Sequence, residues 1–135
     1  MRATLHSDGG ARGNPGPAGI GFVLHIMGGK TIQGSDYIGE ATNNHAEYVA
    51  LLKGLHKARA LAVTEVTCYL DSELVVKQLR GEYRVKHQDL RPLYEQVQQV
   101  ASAFARISFQ HVLREKNKAA DKLVNEAIDR ALHQR

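Results

Sequence analysis

Alternating apolar and polar positions open the chain. Residues 3–8 read as a short strand that ends at Asp8, just before Gly9-Gly10. The stretch Gly13-Asn14-Pro15-Gly16-Pro17 is dense in turn residues and predicts a loop. Within 19–27, Ile20, Phe22, Leu24 and Ile26 alternate with Gly21, Val23, His25 and Met27, the two-residue period of a strand. Gly28-Gly29 turns the chain, and 30–39 returns as a third strand. Together these segments predict an antiparallel meander.

Beyond residue 40 the period lengthens. Val49, Ala50, Gly54, Ala58 and Leu61 recur three and four apart, which predicts a helix from Asn43 to Leu61. Val66, Cys68 and Leu70 mark one face of a strand over 64–70. A short helix follows from Ser72 to about Leu79, stopped by Gly81. Another runs from Asp89 or Leu90 to about Phe104, with Pro92 in its first turn, where proline is tolerated. Residues 106–113 form a fifth strand. A last helix spans about Lys118 to Leu132, with Ala120, Leu123, Val124, Ala127 and Ala131 facing inward.

The element order is βββαβααβα. Strand–helix–strand crossovers between parallel strands are right-handed. The expected α/β fold is a mixed five-stranded sheet, three antiparallel strands and then two parallel ones, flanked by helices. In such sheets ligands gather beyond the carboxyl ends of the parallel strands.

Composition adds limits to this picture. The 135 residues suit a single domain over 1–135. A hydrophobic share of 43% and a charged share of 24% exclude disordered and fibrous classes. No apolar run approaches the roughly 18 residues of a membrane helix. The first residues carry no signal-peptide core, and Cys68 is the sole cysteine, so a cytoplasmic protein is expected. A net charge of +4 favours a polyanion partner weakly. No exposed apolar stripe stands out, which suggests a monomer.

Four carboxylates occupy suggestive positions. Asp8 ends strand one, Glu47 lies in the first turn of the long helix, Asp71 ends strand four, and Asp121 lies in the first turn of the last helix. Taken singly, each has a local explanation. Asp8 suits a turn, and Glu47 follows Asn44 at capping-box spacing. Asp71-Ser72 suits a cap, and Asp121 suits a helix dipole. Together they converge, because strands one and four are neighbours in this topology and both helices start at the same sheet end. Clustered carboxylates repel unless a cation neutralises them. Hard oxygen ligands suit Mg²⁺ or Mn²⁺. Two such ions about 4 Å apart can hold both oxygens of a phosphoryl displacement.

At these residues the chain resembles type 1 ribonuclease H. The matching segments are Asp8-Gly9-Gly10-Ala11-Arg12-Gly13-Asn14-Pro15-Gly16, Thr42-Asn43-Asn44-His45-Ala46-Glu47, Leu70-Asp71-Ser72 and Asn117-Lys118-Ala119-Ala120-Asp121. The segments occur in order and at suitable spacing, and the resemblance covers nearly the whole chain. The resemblance implies a two-metal endonuclease that cuts the RNA strand of RNA–DNA hybrids, leaving 5′-phosphate and 3′-hydroxyl ends. It implies Asp8 as the ligand common to two Mg²⁺ ions, with Mn²⁺ as a substitute. Glu47 and Asp71 would hold one ion and Asp121 the other. It further implies Gly10, Ala11 and Gly13 as a loop lying close to the RNA strand. Asn14, Asn43 and Asn44 would be minor-groove contacts, and Thr42 with Asn44 part of a pocket for a DNA-strand phosphate.

Two departures from the family pattern stand out. Many relatives carry a basic, tryptophan-bearing protrusion where this chain has only Gly81-Glu82-Tyr83-Arg84-Val85-Lys86-His87-Gln88. Arg84, Lys86 and Arg91 are candidates to contact phosphates instead. Many relatives also carry a loop histidine before the last aspartate. Here His111 still falls in strand five, and Arg114 stands nearer the loop position, as in the compact archaeal-like and some bacterial branches. A guanidinium cannot serve as a proton shuttle as an imidazole does. It can bind a phosphate. Two alternatives stay open: a nuclease acting also or mainly on double-stranded RNA, and a non-catalytic hybrid-binding module. Gly28-Gly29-Lys30-Thr31 is no P-loop, since Leu24 stands where the pattern needs glycine.

Overall fold

The computed structural model describes residues 1–133. Strands β1 (Arg2–Ala11), β2 (Gly16–Ile26) and β3 (Thr31–Ala41) form the meander. They are followed by α1 (Asn43–Ala60), β4 (Glu65–Leu70), α2 (Glu73–Leu79), α3 (Arg91–Ala101), β5 (Arg106–His111) and α4 (Lys118–His133). A single 3-10 turn over Arg114–Lys116 precedes α4. The predicted element order is therefore observed.

In the sheet the strands run β3-β2-β1-β4-β5. β1 is antiparallel to β2 and parallel to β4, and β4 is parallel to β5. The strand direction thus changes at β1, the position where mixed sheets bind ligands. Among the described residues, no helix is long and apolar enough to cross a membrane.

One face of the sheet buries the apolar half of the alternation. Leu5, Leu24, Cys68 and Phe109 pack with Leu51 and Leu55 of α1 in the main core. Ile20 packs with Ala46 and Ala50 in a second cluster. α1 lies between the sheet and α3, so it is buried on more than one side. That corrects the single stripe expected for it. Tyr48, Leu51, Leu52 and Leu55 are buried beside Ala50 and Ala58, while Val49 and Leu61 stay partly exposed. On the opposite face α4 lies directly on β2. A Cβ at Gly21 would collide with the Ala120 carbonyl and the Leu123 side chain. Ala120, Val124, Ala127 and Ile128 make the buried face of α4, and Leu123 and Ala131 lie at its edge.

The ends of five elements differ from the sequence expectation. β2 begins at Gly16, inside the expected loop, because Gly16 and Pro17 pair with Ala41 and Glu40 of β3. β1 does not stop at Asp8 but continues to Ala11, pairing Gly9 with Ile20, Gly10 with Gly19 and Ala11 with Ala18. Its glycines look like a turn locally, yet β2 offers partners there and the hairpin pairing prevails. On its other side, pairing with β4 ends at His6 opposite Tyr69. Asp8 is therefore held in a strand on one side and lies just past the sheet on the other. β3 runs on to Ala41, two residues beyond its expected end. α3 ends at Ala101 and β5 at His111, each shorter than expected.

Candidate active site

Three elements bring three carboxylates together. Asp8 leaves the β1–β4 ladder, Asp71 follows the last residue of β4, and Glu47 points from α1 toward β1. One oxygen from each of Asp8, Glu47 and Asp71 lies within 4.8 Å of the others. Glu47 is not in the first turn of α1 and is no capping residue. Thr42 caps that helix, its Oγ1 accepting the His45 N–H at 3.2 Å. Glu47 lies a turn further in and Oε1 accepts the Gly9 N–H at 3.1 Å. A Cβ at Gly9 would strike the Ala46 carbonyl. The glycine thus lets α1 approach β1 closely enough for that bond.

Asp121 stands on the rim of the same cleft, outside the tight trio. Its Oδ1 lies 3.4 Å from Nη2 of the largely exposed Arg114. The cleft has a volume of about 460 Å³, and Gly10, Ala11, Asn43 and Asn44 line it together with the four acids and Arg114.

Burial makes the trio unfavourable as bare anions. Asp8 and Glu47 are 6% and 4% exposed. Burial pushes the Asp8 carboxyl up to about 7, against the adjoining Glu47 carboxyl, which lowers it, and the charges of Asp71 and Asp121 reinforce the rise. Burial, and then Asp8, holds Glu47 well above the usual carboxylate range. Burial also raises Asp71, opposed by Asn117 and Arg114. Meanwhile Oε2 of Glu47 is buried without a partner. An orphaned carboxylate oxygen among crowded acids is the donor set a hard divalent cation satisfies. The residues present therefore fit a metal centre.

The Gly-rich loop is tied to the start of α1. The Ala11 N–H donates to Asn43 Oδ1 at 2.8 Å, and the Asn43 N–H donates to Asn14 Oδ1 at 3.0 Å. Gly13 lies in that exposed loop at φ +93°. Asn14, Thr42 and Asn44 line a second groove, which His45 and His87 also border. The sequence-predicted loop residues thus divide between two adjoining clefts.

Two residues without an assigned role in the sequence also belong here. Asn117 is 2% exposed, and its Nδ2 donates to the Ser7 carbonyl at 2.9 Å. Arg12 lines the acidic cleft and pairs with Asp129 of α4 at 2.7 Å. Both fall inside the motif segments, but only the folded chain shows what they touch. His111 ends β5 and is exposed, as expected for a residue outside the loop, while Arg114 occupies the turn beside Asp121.

A family profile described as reverse transcriptase-like matches residues 6–127. The crystal structure of RNase H1 from the halophilic archaeon Halobacterium salinarum superposes with a TM-score of 0.91 at 41% identity, over 96% of this chain and 98% of that one. The chain belongs to the type 1 ribonuclease H family. LC11-RNase H1, solved in complex with an RNA/DNA hybrid, gives a TM-score of 0.91 at 44% identity, over 96% and 99% of the two chains. The bifunctional protein Rv2228c of Mycobacterium tuberculosis is 47% identical over 133 residues, 97% of this chain but 36% of that protein. Its N-terminal RNase H domain, solved as a fusion with maltose-binding protein, superposes with a TM-score of 0.92 at 45% identity, over 95% and 99% of the chains. The chain thus spans about a third of that ribonuclease H relative's length.

Proposed function

We propose that this chain is an endonuclease that hydrolyses the RNA strand of RNA–DNA hybrids, leaving 5′-phosphate and 3′-hydroxyl ends. The observation that carries this reading is the convergence of buried Asp8, Glu47 and Asp71 on one point, with a Glu47 oxygen left unpartnered. Membership of the ribonuclease H family and the hybrid-bound LC11 relative support the substrate.

In this reading Asp8, Glu47 and Asp71 would hold one divalent ion and Asp121 with Asp8 a second, with Mg²⁺ as the resident ion. Ions held there would supply Lewis-acid polarisation of the phosphate, a more acidic water and positive charge to offset the leaving oxygen. The chain's own residues do the rest. The Gly9 N–H fixes the Glu47 carboxylate through Oε1 and leaves Oε2 buried and unpartnered. Gly10 keeps the cleft wall low, since the nearest atoms to a Cβ there are 3.8 Å away or more. Its lack of a side chain is not demanded by internal packing, which suits close approach of an RNA backbone. Asn14, Asn43 and Asn44 supply polar groups beside the cleft, and Thr42 and Asn44 a seat for a DNA-strand phosphate. Arg114 contacts the cleaved or departing phosphate. No covalent intermediate with the protein is involved.

The same proposal includes a single domain, a monomer and a cytoplasmic setting, the last supported by the single buried thiol of Cys68. The test is cleavage of a strand-labelled hybrid with Mg²⁺, beside double-stranded RNA, double-stranded DNA and a chelator control, for the parent and for Asp8→Asn and Asp71→Asn. Cutting of the RNA strand alone, dependent on metal and lost in both variants, supports the assignment. A hybrid that is bound but never cut in any metal points to a non-catalytic binding module instead. Preferential cutting of double-stranded RNA moves the substrate class.

A further inference from the structure

Asn117 immediately precedes α4, the position where an asparagine ordinarily caps a helix through its side-chain oxygen. Here it does not. Oδ1 is buried and accepts nothing. The carboxamide turns inward instead. Its Nδ2 donates to the Ser7 carbonyl at 2.9 Å and reaches Asp71 Oδ2 at 3.5 Å, the long end of a hydrogen bond. Ser7 immediately precedes Asp8, so one amide group touches the strand that carries one acid and the carboxylate of another.

The backbone of Asn117 is equally engaged. Its N–H donates to the Arg114 carbonyl at 2.9 Å, and its carbonyl accepts the Asp121 N–H at 3.1 Å. One buried residue thus contacts β1 beside Asp8, Asp71 itself, the turn that presents Arg114 and the first turn that presents Asp121. Giving up a helix cap and burying an unpartnered oxygen both oppose folding. Neither is explained by packing alone, because an apolar side chain would fill the space without an orphan atom.

We propose that Asn117 is a positioning residue for the acidic centre, its side-chain amide anchored on Ser7 and orienting the Asp71 carboxylate toward Asp8. This rests on the assignment of Asp8, Glu47 and Asp71 as metal ligands. Hydrogen-bond partners of metal-ligating groups change ion affinity or activity by about 10–100-fold when removed.

The test compares the parent with Asn117→Leu, which has the same branching but is bulkier and lacks the donors, and Asn117→Ala. Mg²⁺ and Mn²⁺ binding is measured by calorimetry without nucleic acid, and kcat and KM are measured on a hybrid. Ion affinity is expected to fall about 10-fold in both variants, with kcat falling and KM for the hybrid little changed. Added to Asp71→Asn, Asn117→Leu is expected to weaken ion binding no further. A purely structural role predicts additive losses instead, and additive losses overturn the proposal. So do variants that fold and bind ions as the parent does.

Should the variants melt below the assay temperature, the parent still decides. The Asn117 side-chain NH₂ resonances are expected to shift on Mg²⁺ addition, and far less in Asp71→Asn. Resonances that stay still in the parent overturn the proposal. If the parent binds no divalent ion at this site, the metal assignment fails first, and that outcome is distinct from a failure of Asn117 alone.

Discussion

The Gly9 N–H and the Glu47 carboxylate meet at 3.1 Å, joining the carboxyl end of β1 to the second turn of α1. One oxygen of Glu47 is spent on this bond and the other is buried without a partner beside Asp8. Glu47→Gln keeps an oxygen to accept from Gly9 and removes the charge. It is expected to fold in metal-free buffer at least as stably as the parent. Its cleavage rate with Mg²⁺ is expected to fall about 100-fold or more, since ion contacts supply several kcal/mol at the transition state. Paired melting curves and hybrid cleavage rates check both halves.

Gly9 and Gly10 are adjacent but answer to different neighbours. A methyl group on Gly9 meets the backbone of α1, so Gly9→Ala is expected to destabilise by about 1–3 kcal/mol or more. A methyl group on Gly10 meets no protein atom closer than 3.8 Å. Gly10→Ala is expected to leave denaturant stability within about 1 kcal/mol of the parent. Its kcat/KM on the hybrid is expected to fall about 10-fold, as when a methyl group crowds a fitted substrate. Equal stability losses in the two variants contradict this distinction.

Without metal, stability is expected to depend on pH in a direction unusual for acids. Burial raises Asp8 to about 7 in the folded chain, against about 3.9 when unfolded. The folded state therefore holds this proton more tightly. Its stabilising contribution is complete below about pH 4 and is lost as pH rises toward 7. Glu47 and Asp71 are shifted in the same direction. In chelator, the melting temperature of the parent is expected to fall between pH 5 and 8 more steeply than that of Asp8→Asn. Saturating Mg²⁺ is expected to reduce the difference. Parallel profiles for the two proteins in chelator count against it.

The Arg114–Asp121 pair is solvent-exposed on the arginine side, at 80%. Such pairs contribute little to folding. Arg114→Ala is expected to change unfolding free energy by no more than about 0.5 kcal/mol. Loss of a charge-assisted contact to phosphate is expected to lower cleavage about 10-fold or more, with partial recovery in Arg114→Lys. Single-turnover rates and urea titrations separate the two effects.

Much of this protein was legible along the chain. The two-residue and 3.6-residue periods place most of the elements, because burial on one face leaves that signature whatever the partner, whereas the single stripe read for α1 is overridden by its burial against both the sheet and α3. The order and spacing of Asp8, Glu47, Asp71 and Asp121 are enough to propose a metal site, since βαβ topology brings their elements together at one end of the sheet, although β1 runs past Asp8 and Glu47 lies a turn inside α1. The extent of β1 was not legible. Gly9-Gly10 signals a turn until β2 supplies partners for it. Nor was the role of Glu47, whose neighbour Asn44 suggested a cap that Thr42 in fact makes. Asn117 and Arg12 stood in the matching motifs without a function, because their partners are 110 and 117 residues away in sequence at Ser7 and Asp129. Local propensity and periodicity are written in neighbouring residues. Which side chain completes the environment of a buried carboxylate depends on long-range packing, and only the tertiary structure decides it.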